Sequence, residues 1–208
     1  MFSVGPGSRP RVARGPRSVL RPRGTSARRR SMHGILFHEL RGYAQSRLGT
    51  QGWESLLERA GLPQRIYLAF QHYPDEEVTA LVAATAQLLG QAPRLVLEDF
   101  GEFIAPSLLR KYRVLLEPNW SVLDIVERAE HILRSVRQDA KPPPSNLRIR
   151  REEDVVLVSY GSPRRLCGVG IGFIRGLARE MGQRVVVHEH QCMHQRAPRC
   201  ELQVLLMP

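Results

Sequence analysis

The 208-residue sequence has little of what marks several protein classes. It has three cysteines, Cys167, Cys192 and Cys200. That is too few for a disulfide framework, so a reducing, cytoplasmic setting is expected. No stretch of about 18 residues is uninterruptedly apolar, so no membrane span is expected. There is no Ser–His–Asp order, no paired-carboxylate signature and no phosphate loop between a strand and a helix. The glycine-rich "GVGIGFIRG" (168–176) falls inside a helical pattern, where its glycines would allow close packing on a sheet. An enzyme is not expected.

Acidic residues are missing from residues 1–31, which hold nine arginines. The net charge of +11 is concentrated there, and the remaining 22 basic and 20 acidic residues nearly balance. The segment is rich in Pro, Gly, Ser and Arg and has no apolar periodicity, so it is expected to be a disordered basic tail or a mispredicted start. It also lacks the apolar core of a secretory signal. Nucleic-acid binding is not expected outside this tail.

From Met32 helical periodicity runs for about 100 residues. "MHGILFHELRGYAQSRL" sets Ile35, Leu36, Leu40 and Tyr43 on one stripe, and "TQGWESLLERAG" offers Thr50 as N-cap and Gly61 as C-cap. "YPDEEVTALVAATAQLLG" opens with acids that suit a helix N-terminus. "RLVLEDFGEFIAPSLLRKY" is interrupted by Pro106. "SVLDIVERAEHILRSVRQ" (121–138) reads as one helix capped by Ser121, with an apolar stripe of Val122, Ile125, Val126, Ala129, Leu133 and Val136. "DAKPPPSN" then ends the helical period. Beyond it, "LRIR" and "DVVLVSY" read as a hairpin, "RRLCGVGIGFIRGLAREMGQ" as a helix, and "RVVVHEHQCM" and "RCELQVLL" as a second hairpin. The expected fold is α+β: one domain over 32–208, with a helical part (32–140), a proline linker (141–146) and a ββαββ four-stranded antiparallel sheet part (147–208).

Two groups of residues carry chemistry. Tyr160, Ser162 and Arg164 alternate at the end of an expected strand, which would put two hydroxyls and a guanidinium on one face, suited to a carboxylate or phosphate. "HEHQCMH" sets His188, His190, Cys192 and His194 on one face of a regular strand, with Cys200 across the turn. His188, His190, Cys192 and Cys200 form a candidate zinc site, against a plain polar strand face with packed cysteines. Cys167 reads as a small core residue.

The chain resembles the H-NOX family, the heme nitric-oxide/oxygen-binding domains related to the sensor domain of soluble guanylate cyclase. The resemblance runs from Met32 to about Leu206. It rests on "MHGILF", "GWESLLERAG", "YPDEEVTALV", "EDFGEF", the proline linker and the Tyr-x-Ser-x-Arg triplet at Tyr160, Ser162 and Arg164. It implies heme, with the triplet on the propionates and Leu36, Phe100 and Pro143 or Pro144 lining the pocket. It also implies diatomic-gas (NO) sensing and a separate signalling partner of kinase, cyclase or chemotaxis-receptor type. His38, on the first helix, would lie on the distal side. The family's proximal histidine sits on the helix before the linker. With Glu130 and Ile132 in the flanking positions, that place falls on Leu133, which cannot ligate iron. His131 lies two residues earlier, about 200° around a continuous helix, and is the alternative axial ligand. A heme-free relative serving as a small-ligand or protein-interaction module is the other reading.

Overall fold

In the computed structural model, Met1, residues 31–136 and residues 146–208 are described. The expectations for residues 2–30 and for Pro143 and Pro144 lie outside them. The helical part begins with a short ribbon that the sequence does not announce. β1 (Ser31–His33) pairs antiparallel with β2 (His72–Pro74). Ser31, expected in the tail, is therefore part of the fold.

The helices are α1 (Gly34–Leu48), α2 (Gly52–Arg59), α3 (Asp75–Leu89), α4 (Pro93–Lys111), α5 (Val122–Glu127) and α6 (Ala129–Val136). Because α1 starts only at Gly34, its buried stripe is Phe37, Leu40, Tyr43 and Ala44, with Ile35 and Leu36 at its edge. Thr50 is not a cap; Gln51 takes that place without a side-chain bond. Gly61 and Gly90 adopt positive φ at helix C-termini, as their positions suggest. Helix α4 runs through Pro106 without a break. Proline removes one ladder bond, and packing along α4 outweighs that loss.

The sheet part has β3 (Asn146–Glu152), β4 (Val155–Gly161), α7 (Cys167–Glu180), β5 (Arg184–Gln191) and β6 (Cys200–Met207). All pairings are antiparallel, in the order β3-β4-β6-β5. One face, carrying Val156, Val158, Leu202 and Val204, is covered by Val122, Leu123, Ile125 and Val126 of α5 and by Ile171, Ile174 and Leu177 of α7. A second core joins α1–α4, with Phe37 stacked on Tyr67 at 4.5 Å between ring centroids.

The two parts meet where α4 lies along α7. Of the α7 glycines, Gly168, Gly172 and Gly176 face α4, not the sheet. A Cβ at Gly172 would stand 1.8 Å from the Glu98 carbonyl oxygen, one at Gly176 would stand 2.7 Å from the Ala105 Cβ, and one at Gly101 of α4 would stand 2.3 Å from the Val169 carbonyl oxygen. Gly172→Ala should therefore cost at least the ~1–3 kcal/mol typical of overpacking. Gly170, exposed with open space around it, should give about 0.5–1 kcal/mol of added stability as alanine. Urea unfolding of the two variants checks the contrast, and equal effects would contradict this packing.

Candidate functional site

The triplet is divided between a strand and a turn. Tyr160 lies on β4, opposite Cys200 of β6. The strand ends at Gly161, ahead of Pro163, which cannot donate to a ladder. Ser162 and Arg164 therefore do not share a strand face with Tyr160. The turn is fixed locally: the Arg164 N–H donates to Ser162 Oγ (3.3 Å), and the Arg165 N–H donates to the Ser162 carbonyl (3.0 Å). Arg165 takes φ +51, and its carbonyl meets His194 Nε2 at 2.9 Å. His194 thus holds the turn and is not in line with a metal site. Ser162 is buried. Burial pushes the Tyr160 hydroxyl up, while the Ser162 hydroxyl and the Leu166 N–H oppose that shift.

Arg164 crosses to the helical part. Its Nε donates to Asp75 Oδ2 (2.6 Å), and its Nη2 donates to the Ser31 carbonyl (2.6 Å). Asp75 is the first residue of α3, and Ser31 pairs with Pro74 just before it. Asp75 Oδ1 is buried with no hydrogen-bond partner among the described residues.

The expected single helix 121–138 is two helices. Ser121 caps α5 in a reciprocal capping box with Asp124. Arg128 then leaves the helical pattern, with its guanidinium over the Trp120 ring (4.7 Å) and beside Glu127. The buried stripe ends at Val126. After the break, half-buried Ile132 packs against the sheet core, while His131 and Leu133 are exposed, Leu133 at 51%. The apolar stripe read from Val122 to Leu133 as one helix face does not carry across Arg128.

The metal candidates regroup. Strand β5 has an irregularity between Glu189 and Gln191. His188 and His190 are exposed, and His190 Nε2 meets Gln203 Oε1 on β6 (3.1 Å). Neither histidine belongs to the cluster. Instead Cys167, at the start of α7, comes to 3.8 Å from Cys192, and Cys200 to 3.7 Å from it. Glu189 completes a group whose ligand atoms all lie within 4.8 Å of one another. Glu189 Oε1 is the other buried side-chain oxygen without a partner among the described residues. Its Oε2 is held by Arg94 Nη1 (2.7 Å), and Arg94 also meets Glu98 (2.9 Å). The Tyr160 ring packs against the cysteines. Burial pushes the Cys167 and Cys192 thiols up, toward the neutral form. Cys167 thus belongs to the cysteine–glutamate cluster as well as to the core. Sequence spacing misses it, along with Glu189, Arg94 and Asp75, because chain folding and not spacing brings them in.

Leu36 and Phe100 pack in the helical core. His38 lines an open cleft of ≈520 Å³ with Glu39, Phe103, Pro106 and Arg179. Among the described residues no single helix is long and apolar enough to cross a membrane.

A helical part joined to a ββαββ sheet through the Tyr160–Arg164 turn is the H-NOX fold. The H-NOX protein from S. oneidensis, solved in its Fe(II)NO ligation state, has a TM-score of 0.77 and 25% identity, over 85% of this chain and 100% of its own. Unliganded Fe(II) H-NOX from K. algicida has a TM-score of 0.71 at 14% identity, over 85% and 97%. A mutant of T. tengcongensis H-NOX has 0.70 at 15%, over 85% and 98%. The sequence profile of the Haem-NO-binding family matches residues 33–189, and the chain belongs to that family. No curated protein matches it.

Burial of all three cysteine sulfurs implies slow chemistry. In metal-free native chain, iodoacetamide at pH 8 should alkylate Cys167, Cys192 and Cys200 at least about tenfold more slowly than in urea-unfolded chain. Comparable rates by mass spectrometry would show that the cluster is open.

Proposed function

We propose that this chain is a heme-binding gas sensor whose triplet holds the heme propionates. The observation that supports this best is the turn at Ser162–Arg164, which carries the Arg164 guanidinium across to Asp75 and Ser31 of the helical part, with the Ser162 hydroxyl on the same turn and the Tyr160 hydroxyl bonded to Ser162. The donor chemistry fits the group. Arg164 keeps N–H donors in excess of its two bonds, and charge-assisted bonds to carboxylates are worth about 1.5–3 kcal/mol each. His131 is the one imidazole on α5 and α6. Leu133, the competing position, is half exposed and does not face the core, so it sets no inward register against His131, and we assign His131 as the axial ligand. Heme, when bound, supplies an iron that can coordinate a diatomic gas such as NO. The chain's part is to hold the propionates at Tyr160, Ser162 and Arg164, to present an imidazole from α6, and to pass the state of α6 to a separate signalling protein.

The ferrous absorption spectrum of chain purified with heme supply should be that of a five-coordinate, histidine-ligated species. His131→Ala should abolish it and Leu133→Ala should keep it. If the unmodified chain lacks this spectrum and Leu133→His creates it, the axial position is Leu133 and the His131 assignment falls.

A second reading concerns zinc. Cys167, Glu189, Cys192 and Cys200 supply three sulfurs and an oxygen, a full tetrahedral set for a structural site. The unpartnered Glu189 Oε1 favours this set over the histidines. Arg94 beside it would offset part of the excess negative charge that three thiolates and a carboxylate leave on a divalent ion. Protein purified without chelator should carry about one zinc per chain. Cys200→Ser should remove it and His190→Gln should not; an absence of zinc by elemental analysis would reject the site.

A further inference from the structure

We propose that Asp75 is a positioning residue for anion capture: it fixes the Arg164 guanidinium so that its outer edge stays available to a carboxylate. This rests on the reading of the triplet as a propionate site. A guanidinium has five N–H donors in a planar fork on a long, rotamer-rich stem. Asp75 takes the Nε donor, and the Ser31 carbonyl takes one donor of Nη2. Among the described residues Nη1 makes no hydrogen bond. What remains is the Nη1–Nη2 edge, two parallel donors that match a carboxylate bidentately.

The geometry separates this role from simple competition. A carboxylate meant to occupy Arg164 for itself would use both oxygens on one edge of the fork. Asp75 uses one oxygen, because the Ser31 carbonyl holds Nη2, and its second oxygen is buried without a partner among the described residues. Such an orphan is costly and uncommon. Both anchors come from the same place in the fold, since β1–β2 pairing sets Ser31 against Pro74 and Asp75 follows directly. The ribbon and the start of α3 thus hold a sheet-part cation from the helical side. Arg164 is largely buried, with 13% side-chain exposure, so its orientation is set by these contacts more than by water.

The test uses iron-free protoporphyrin IX, which carries both carboxylates but needs no axial ligand, and its dimethyl ester, which has none. Fluorescence titration of the full chain should show tighter binding of the diacid. Asp75→Asn should weaken the diacid by about tenfold or more and leave the diester unchanged. Asp75→Glu, which keeps the charge on a longer arm, should weaken the diacid by a smaller factor. In an Arg164→Ala background, Asp75→Asn should add no further loss. Should Asp75→Asn fail to fold, the Glu variant decides alone, by losing affinity for the diacid only. Tighter binding in Asp75→Asn, unchanged binding, or equal weakening of diacid and diester would overturn the positioning role. If the unmodified chain does not prefer the diacid, the propionate reading fails and this inference with it. A preference that Asp75→Asn leaves intact defeats this inference alone.

Discussion

The contact of α4 with α7 is the constraint on which the rest of the molecule depends. It joins a four-helix core to a sheet core, and it does so backbone against backbone. Gly101, Gly172 and Gly176 have no side chain because a Cβ at any of them would meet opposing helix atoms at under 3 Å. Side chains elsewhere then serve the contact from its edges. Arg175 reaches Glu98 at 2.8 Å, and Arg179 pairs with Glu102. With α4 fixed on α7, Arg94 reaches Cys192 and Glu189, and the Cys167 end of α7 comes under β5 and β6.

Charge is arranged to the same end. Most of the arginines that matter join elements distant in sequence. Arg47 ties α1 to Asp99 of α4, Arg151 ties β3 to Asp124 of α5, and Arg164 ties the β4–α7 turn to α3. Asp99 is held below the usual carboxylate range chiefly by its bond from Arg47, and Asp124 chiefly by its bonds from Ser121. A depressed carboxylate contributes stability that is present above its unfolded pKa and is lost as pH falls through the folded value. The Arg47–Asp99 and Arg151–Asp124 cross-links are therefore intact near neutrality and weaken in acid.

Local chemistry is readable from the residues; long-range assembly is not. The period-two runs at 147–150 and 154–160, the capping role of Ser121 and the glycines at 61 and 90 each follow from neighbours within a few positions, and the structure has them. β1 is three residues long and pairs with a strand some forty residues on, which no local pattern encodes. Pro106 sits in a helix because packing outweighs one lost bond. His188 and His190 read as ligands only while strand alternation is carried through the irregularity at Glu189–Gln191. Cys167 reads as core because the turn after β4 that delivers it to the other cysteines is a tertiary feature. For α5 and α6, a stripe drawn through Arg128 assigns Leu133 an inward place that Ile132 holds.

The separation of α6 from α5 has a thermodynamic consequence. An eight-residue helix is too short to persist on propensity alone. On its inner side, α6 is tied to the sheet core through half-buried Ile132, an attachment worth on the order of 1 kcal/mol, below the ~1.5–3 kcal/mol of a fully buried isoleucine. On that contact alone, its docked and undocked populations would differ by only about fivefold. One charge-assisted bond, worth about 1.5–3 kcal/mol, made or broken at an α6 side chain would be enough to invert that ratio. The rest of the chain, bound through the glycine contact, would scarcely register the change.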